Sequence, residues 1–180
     1  MSTEIEVYPQ FQKIHRLSRR VIVTEKLDGT NSLIYISDSG EFKTGSRTKW
    51  ISPFNDNHGF SRWAHENKEE LMKLGYGHHY GEFMGLGIQR TYNLKEKRFV
   101  LFNTEIWSDD SVRPKCCYVT PILYDGIFDT QKIDDCLTDL KTNGSKFVPG
   151  FMRPEGIVVY HVVSRFLFKK TIEKDDGKNH

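Results

Sequence analysis

The sequence predicts an α+β fold: twisted antiparallel β-sheets with helices packed on the outside. Three observations carry this. Short β-branched and aromatic runs recur along the chain, two segments show helical periodicity, and the strand-like runs outnumber the helical ones. Neighbouring runs joined by short turns favour antiparallel pairing.

Taken in order, Val21-Ile22-Val23-Thr24 and Ser32-Leu33-Ile34-Tyr35-Ile36 flank Asp28-Gly29 and read as strand, turn, strand. Glu41 to Thr44 extends that meander after the Ser39-Gly40 turn. From Phe60 to Leu74 the pattern turns helical, because Phe60, Trp63, Ala64, Leu71 and Leu74 share a face and Glu66 to Glu70 lie outside it. His79 to Phe83 and Phe99 to Trp107 read as strands. Gln131 to Leu140 reads as a short helix with Ile133, Leu137 and Leu140 inward. Gly156 to Val163 and Arg165 to Ile172 form a last strand pair before a polar tail, Glu173 to His180.

Composition narrows the function classes. The 180 residues are 37% hydrophobic and 28% charged, a folded rather than disordered balance that fits one domain over 1–180. No apolar run approaches the ~20 residues of a membrane span. The start, Met1-Ser2-Thr3-Glu4-Ile5-Glu6, lacks the pattern of a secretory signal, so a cytoplasmic location is expected. Cys116 and Cys117 are adjacent, Cys136 is distant and no Cys-x-x-Cys pair exists, which argues against zinc or a disulfide framework. His78-His79 lacks the spacing that puts two ligands on one helix face. A net charge of +2 does not suit gripping nucleic acid by bulk charge, but it leaves room for a local basic groove.

The most informative segment is Glu25-Lys26-Leu27-Asp28-Gly29-Thr30-Asn31. Here an apolar strand ends on Lys26 and aims its amine into a cleft, a setting in which lysine serves as a nucleophile. Gly29 permits a tight turn and close approach to a ligand. Asp28 and Asn31 place acceptors and donors beside the amine. Alone, the segment reads more readily as a surface hairpin, because Asp-Gly is a common turn dipeptide.

Five further segments alter that reading, and with them the chain resembles the covalent nucleotidyltransferase superfamily of ATP-dependent DNA ligases, RNA ligases and mRNA capping enzymes. Lys26-Leu27-Asp28-Gly29-Thr30-Asn31 is most similar to the RNA ligase branch, with Asn31 where DNA ligases and capping enzymes usually carry Arg. Within it the chain resembles the small phage-type RNA ligases from about Val21 onward. Gly45-Ser46-Arg47 resembles the segment whose arginine touches ribose or phosphate. Tyr80-Gly81-Glu82-Phe83 resembles the motif whose carboxylate holds the ribose hydroxyls. Phe99-Val100-Leu101-Phe102-Asn103 is similar to the strand whose phenylalanine stacks on adenine, here Phe102. Glu155-Gly156-Ile157-Val158 resembles the motif whose carboxylate sits near the catalytic metal, and Phe168-Lys169-Lys170-Thr171 the motif whose lysine contacts the α-phosphate.

The resemblance implies the adenylyltransferase (ATP-grasp-like) domain of ligases. Lys26, Lys169 and Lys170 are then catalytic; Glu25, Asp28, Gly29, Asn31, Arg47, Glu82, Phe102, Asn103 and Glu155 bind nucleotide; Glu155 and Asp28 bind metal. It further implies ATP with Mg²⁺ (Mn²⁺ as a substitute), a covalent lysyl-AMP, and RNA 5′-phosphate and 3′-hydroxyl ends as partners. Other readings are an adenylyltransferase or DNA nick ligase of the same superfamily, or a catalytically silent nucleotide- or RNA-binding module. The chain departs from the family pattern in three places. The last motif is often Lys-x-Lys, which leaves Lys169, Lys170 and Lys178 as candidates for the α-phosphate. Asn103 stands where many relatives have Asp. No OB-fold or other domain is expected after Lys170, so an accessory protein would replace it, with Arg90, Lys95, Lys97 and Arg98 lining a phosphate groove or a solvated loop.

Overall fold

The computed structural model describes residues 8–173. In chain order the elements are β1 (Arg20–Lys26), β2 (Thr30–Ile36), β3 (Phe42–Ser46), β4 (Trp50–Ile51), α1 (Phe60–Glu66), α2 (Lys68–Leu71), β5 (Gly77–Gly85), β6 (Lys97–Leu101), α3 (Thr104–Trp107), β7 (Cys117–Val119), β8 (Ile122–Ile127), α4 (Thr130–Asn143), β9 (Gly156–His161) and β10 (Phe166–Thr171). They form a four-stranded sheet, β10-β9-β1-β8, and a six-stranded sheet, β4-β3-β2-β5-β6-β7. Every pairing is antiparallel except β6 with β7. The predicted α+β class is the one observed. No described helix is long and apolar enough to cross a membrane.

In the smaller sheet Val21, Ile22 and Val23 are all buried, so β1 is covered on both faces. One face carries Val21, Val23, Ile157 and Val159 against Ile133, Cys136 and Leu140 of α4. Asp129 starts that helix by accepting from the N–H groups of Gln131 and Lys132, and Gly144 at φ 77° ends it. The other face carries Lys26 and, across β9, Val158 and Tyr160. In the larger sheet Ser32, Ile34 and Ile36 turn inward while Asn31, Leu33 and Tyr35 face the other way, the alternation of a half-buried strand. Behind it lies an aromatic core in which the rings of Phe60, Phe83 and Phe99 pack, with Phe60 5.2 Å from each of the others.

Several expectations need correction. β1 and β2 do not form a hairpin; the Lys26–Thr30 connection carries the chain from one sheet to the other. The crossing is possible because position 29 is glycine: a Cβ there would lie 2.4 Å from the Phe83 carbonyl oxygen. The expected strand from Phe99 to Trp107 stops at Leu101, and Asn103 then caps α3, its side chain accepting from the Ile106 N–H at 3.4 Å. The helical stretch from Phe60 to Leu74 breaks at Asn67 and ends in a 3₁₀ turn, although Phe60, Ala64, Leu71 and Leu74 are buried as expected. β7 and β8 were not foreseen. β7 is three residues long, and β8 has half-exposed positions without clean alternation.

Candidate active site

The site forms where β1 ends. Lys26 pairs in register with Gly156, which puts Glu155 beside it, and the amine donates to Glu155 Oε2 at 2.6 Å. Both side chains are largely shielded, at 25% and 20% exposure. Gly156 sits at φ 155°, and a Cβ there would come within 2.2 Å of the Lys170 carbonyl oxygen, so glycine is needed for β10 to pass this close.

Glu82 closes the opposite wall. Its Oε1 accepts from the Gly29 N–H and its Oε2 from Asn31 Nδ2, each at 3.0 Å, while Asn31 pairs with it across β2 and β5. Burial pushes the Glu82 carboxyl up to about 7, against the lowering effects of the Lys26 charge and the Gly29 and Asn31 hydrogen bonds; Glu155 adds to the rise. A carboxyl whose folded pKa is raised stabilises the fold fully below its unfolded value near 4.5 and loses that contribution as pH rises through about 7. In chelator-treated, nucleotide-free protein, stability to urea is therefore expected to fall by up to about 3 kcal/mol across that window. The Glu82→Gln variant should lack the fall; an equal fall in both proteins would contradict it.

Asp28, the other carboxylate expected at the metal, is engaged through Oδ2, which accepts from Arg90 Nε at 2.9 Å. Arg90 also donates to the Arg153 carbonyl at 3.2 Å and to Glu173 at 3.0 Å, which ties the turn after Lys26 to the region around β9 and β10. The Asp28 N–H donates to the Tyr92 hydroxyl at 3.1 Å, and the Tyr92 ring is buried against Phe151 at 4.4 Å. Burial holds the Tyr92 phenol well above its usual range, so it stays neutral. No motif pointed to Tyr92. The nearest signal was the run of Gly85, Gly87 and Arg90 around it.

The other residues sort by strand geometry. Thr24 pairs with Val158, and Val158 with Lys169, so Lys169 shares the Lys26 face of the smaller sheet. Lys170 points to the opposite face, where it pairs with Asp134 of α4 at 2.7 Å. Lys178 lies outside the described residues. Glu25 also faces away from Lys26: one carboxylate oxygen accepts from the N–H groups of Lys146 and Phe147 at 2.8 and 2.9 Å, and the other is buried without a partner among the described residues. Phe102, 42% exposed, alternates with Val100 onto the Glu82 face, which suits an adenine wall. Arg47 follows Ser46, the partner of Ser32, and so lies level with Asn31 on an exposed turn. Of the expected groove cations, Lys97 donates to the His58 carbonyl and Arg98 lies 4.7 Å over the Tyr118 ring; both serve the fold. Lys95 is exposed.

Among the described residues no group of three or more His, Cys, Asp or Glu side chains is set to hold a metal. That donor set fits a cation held by one carboxylate and completed by phosphate and water, as Mg²⁺ prefers, with Glu155 as the carboxylate.

The RNA ligase family model matches residues 19–172. No curated protein matches the chain. Among solved structures, a Naegleria gruberi RNA ligase variant in its apo form superposes with a TM-score of 0.65 at 21% identity, covering 86% of this chain and 50% of that one. A variant of the same ligase with ATP and Mn gives 0.65 at 21% identity, covering 87% and 51%. One with AMP and Mn gives 0.66 at 21%, covering 86% and 50%. The chain spans about half the length of these solved relatives, and at such identity the likeness speaks for the fold alone. The family match, by contrast, extends over most of the chain and includes each of the motifs around Lys26: the chain belongs to the RNA ligase family.

Proposed function

We propose that the chain is an ATP-dependent RNA ligase that works through a covalent lysyl-AMP at Lys26. The observation that carries this is the Lys26–Glu155 pair, with Glu82 close enough to feel both charges and Lys169 on the same sheet face. In the first step the Lys26 nitrogen lone pair attacks the α-phosphorus of ATP; a P–N bond forms and the P–O bond to pyrophosphate breaks. Glu155, 2.6 Å away, orients the amine and is its nearest proton acceptor. Glu82 and Asn31 are placed for the ribose hydroxyls, Phe102 for the adenine face and Lys169 for the charge that grows on the α-phosphate. Mg²⁺ or Mn²⁺, held by Glu155 and the nucleotide, would neutralise polyphosphate charge.

AMP then passes to an RNA 5′-phosphate, with loss of the Lys26 P–N bond. Attack by a 3′-hydroxyl joins the ends and expels AMP. RNA ends are the partners under this reading. An accessory protein in the joining step belongs to the proposal too.

The test is intact mass after incubation with ATP and Mg²⁺. One added adenylyl group is expected, and loss of that group on adding 5′-phosphorylated RNA but not 5′-phosphorylated DNA. No adduct would refute the first step. Discharge by DNA in preference to RNA would move the reading to a DNA nick ligase.

A further inference from the structure

The face of the larger sheet that carries Asn31 and Glu82 does not end at the nucleotide site. Along β2 the same face continues through Leu33 to Tyr35, and along β5 through Tyr80 to His78. Trp50 lies beside Tyr35, across Gly45, where a Cβ would touch its ring at 3.5 Å. The four rings form one chain: Trp50 to Tyr35 at 6.0 Å, Tyr35 to His78 at 4.6 Å, and His78 to Tyr80 at 6.3 Å. Trp50 is 53% exposed and Tyr80 58% exposed, so these rings are not filling the core. A contiguous exposed aromatic strip marks a binding surface more often than it serves packing.

Charge narrows the occupant. Arg47 and Lys49 sit on the exposed turn leading to Trp50 and have no ion pair among the described residues. Lys43, opposite Tyr35 on the same face, is shared with Glu41 at 3.0 Å. An open row of rings with a cationic rim suits unpaired bases that stack while their phosphates meet the cations. The strip also runs outward from Glu82: the four residues back to His78 span roughly 13 Å at strand rise. A strand whose end lies at the nucleotide site would therefore reach it.

We propose that Trp50, Tyr35, His78 and Tyr80 form a stacking platform for the unpaired bases of the RNA strand whose end reacts at Lys26. The proposal rests on the ligase reading above, and the experiment separates the two. The anisotropy of a labelled, 5′-phosphorylated single-stranded RNA is measured with wild type, with the Trp50→Leu/Tyr80→Leu double variant and with the Trp50→Phe/Tyr80→Phe double variant. Lysyl-AMP formation is followed by mass in parallel. The leucine variant is expected to bind RNA about tenfold or more weakly yet still form the adduct, and the phenylalanine variant to bind within a few-fold of wild type. RNA with abasic nucleotides near its 5′ end should bind wild type weakly and lose nothing further with the leucine variant, an arm that asks nothing of variant folding.

Equal RNA affinity of wild type and leucine variant, or no effect of abasic nucleotides, overturns the platform. So does a leucine variant whose only change is its sedimentation as an oligomer, which would make the face a contact between copies. Ring-dependent RNA binding in a wild type that never forms lysyl-AMP would instead overturn the ligase reading and leave the platform standing.

Discussion

Lys26→Ala is expected to leave no detectable AMP adduct, a loss of at least about 10³-fold in the first step, because it removes the amine that Glu155 holds at 2.6 Å and with it the nucleophile. Alanine also strands Glu155, a carboxylate only 20% exposed, without its partner, so a folding defect could mimic a chemical one. Lys26→Arg separates these effects. The guanidinium keeps the ion pair to Glu155 but is never neutral at working pH and supplies no nucleophile. The arginine variant should therefore melt near wild type and bind ATP, yet carry no adduct by intact mass. An adduct in Lys26→Arg would show that AMP is attached elsewhere, and the proposed first step would be lost.

What the sequence made legible here was local, and what it concealed was set by long-range pairing. Lys26, Glu82 and Glu155 each sit in a short motif whose residue types carry the chemistry, and the structure brings the three together. The side a residue faces depends on partners far along the chain. Lys26 faces Gly156 across 130 positions, and Arg20 faces Ile127 of β8, a strand without clean alternation of its own. For the same reason Glu25 is adjacent to Lys26 in sequence although its carboxylate lies on the opposite sheet face. Arg90 is another case. Its tie to Asp28 spans 62 residues and rests on a loop in which Gln89, Thr91, Tyr92 and Asn93 all have positive φ, a conformation that non-glycine side chains adopt only when packing enforces it. Burial of Tyr92 against Phe151 supplies that packing, and neither contact leaves a pattern in the local sequence.

The doubled lysine of the last motif is where strand parity decides what residue type could not. Lys169 and Lys170 are chemically identical neighbours, so only the register of β10 on β9 distinguishes them. Lys169, opposite Val158, lies on the Lys26 face; Lys170, opposite Ile157, lies on the α4 face and is engaged by Asp134. Lys169→Ala is expected to slow adduct formation by about 10²–10³-fold with ATP binding weakened far less, since a cation directed at the α-phosphate acts mainly on charge that develops in the transition state. Lys170→Ala removes a partly exposed ion pair worth about 0–1 kcal/mol and should change the rate less than about threefold. Single-turnover adduct formation under saturating ATP reads both. Should Lys170→Ala prove the slower enzyme, β10 would have to sit one residue out of the register seen here, with Lys170 rather than Lys169 opposite Val158 on the Lys26 face, and the assignment of the phosphate contact would reverse.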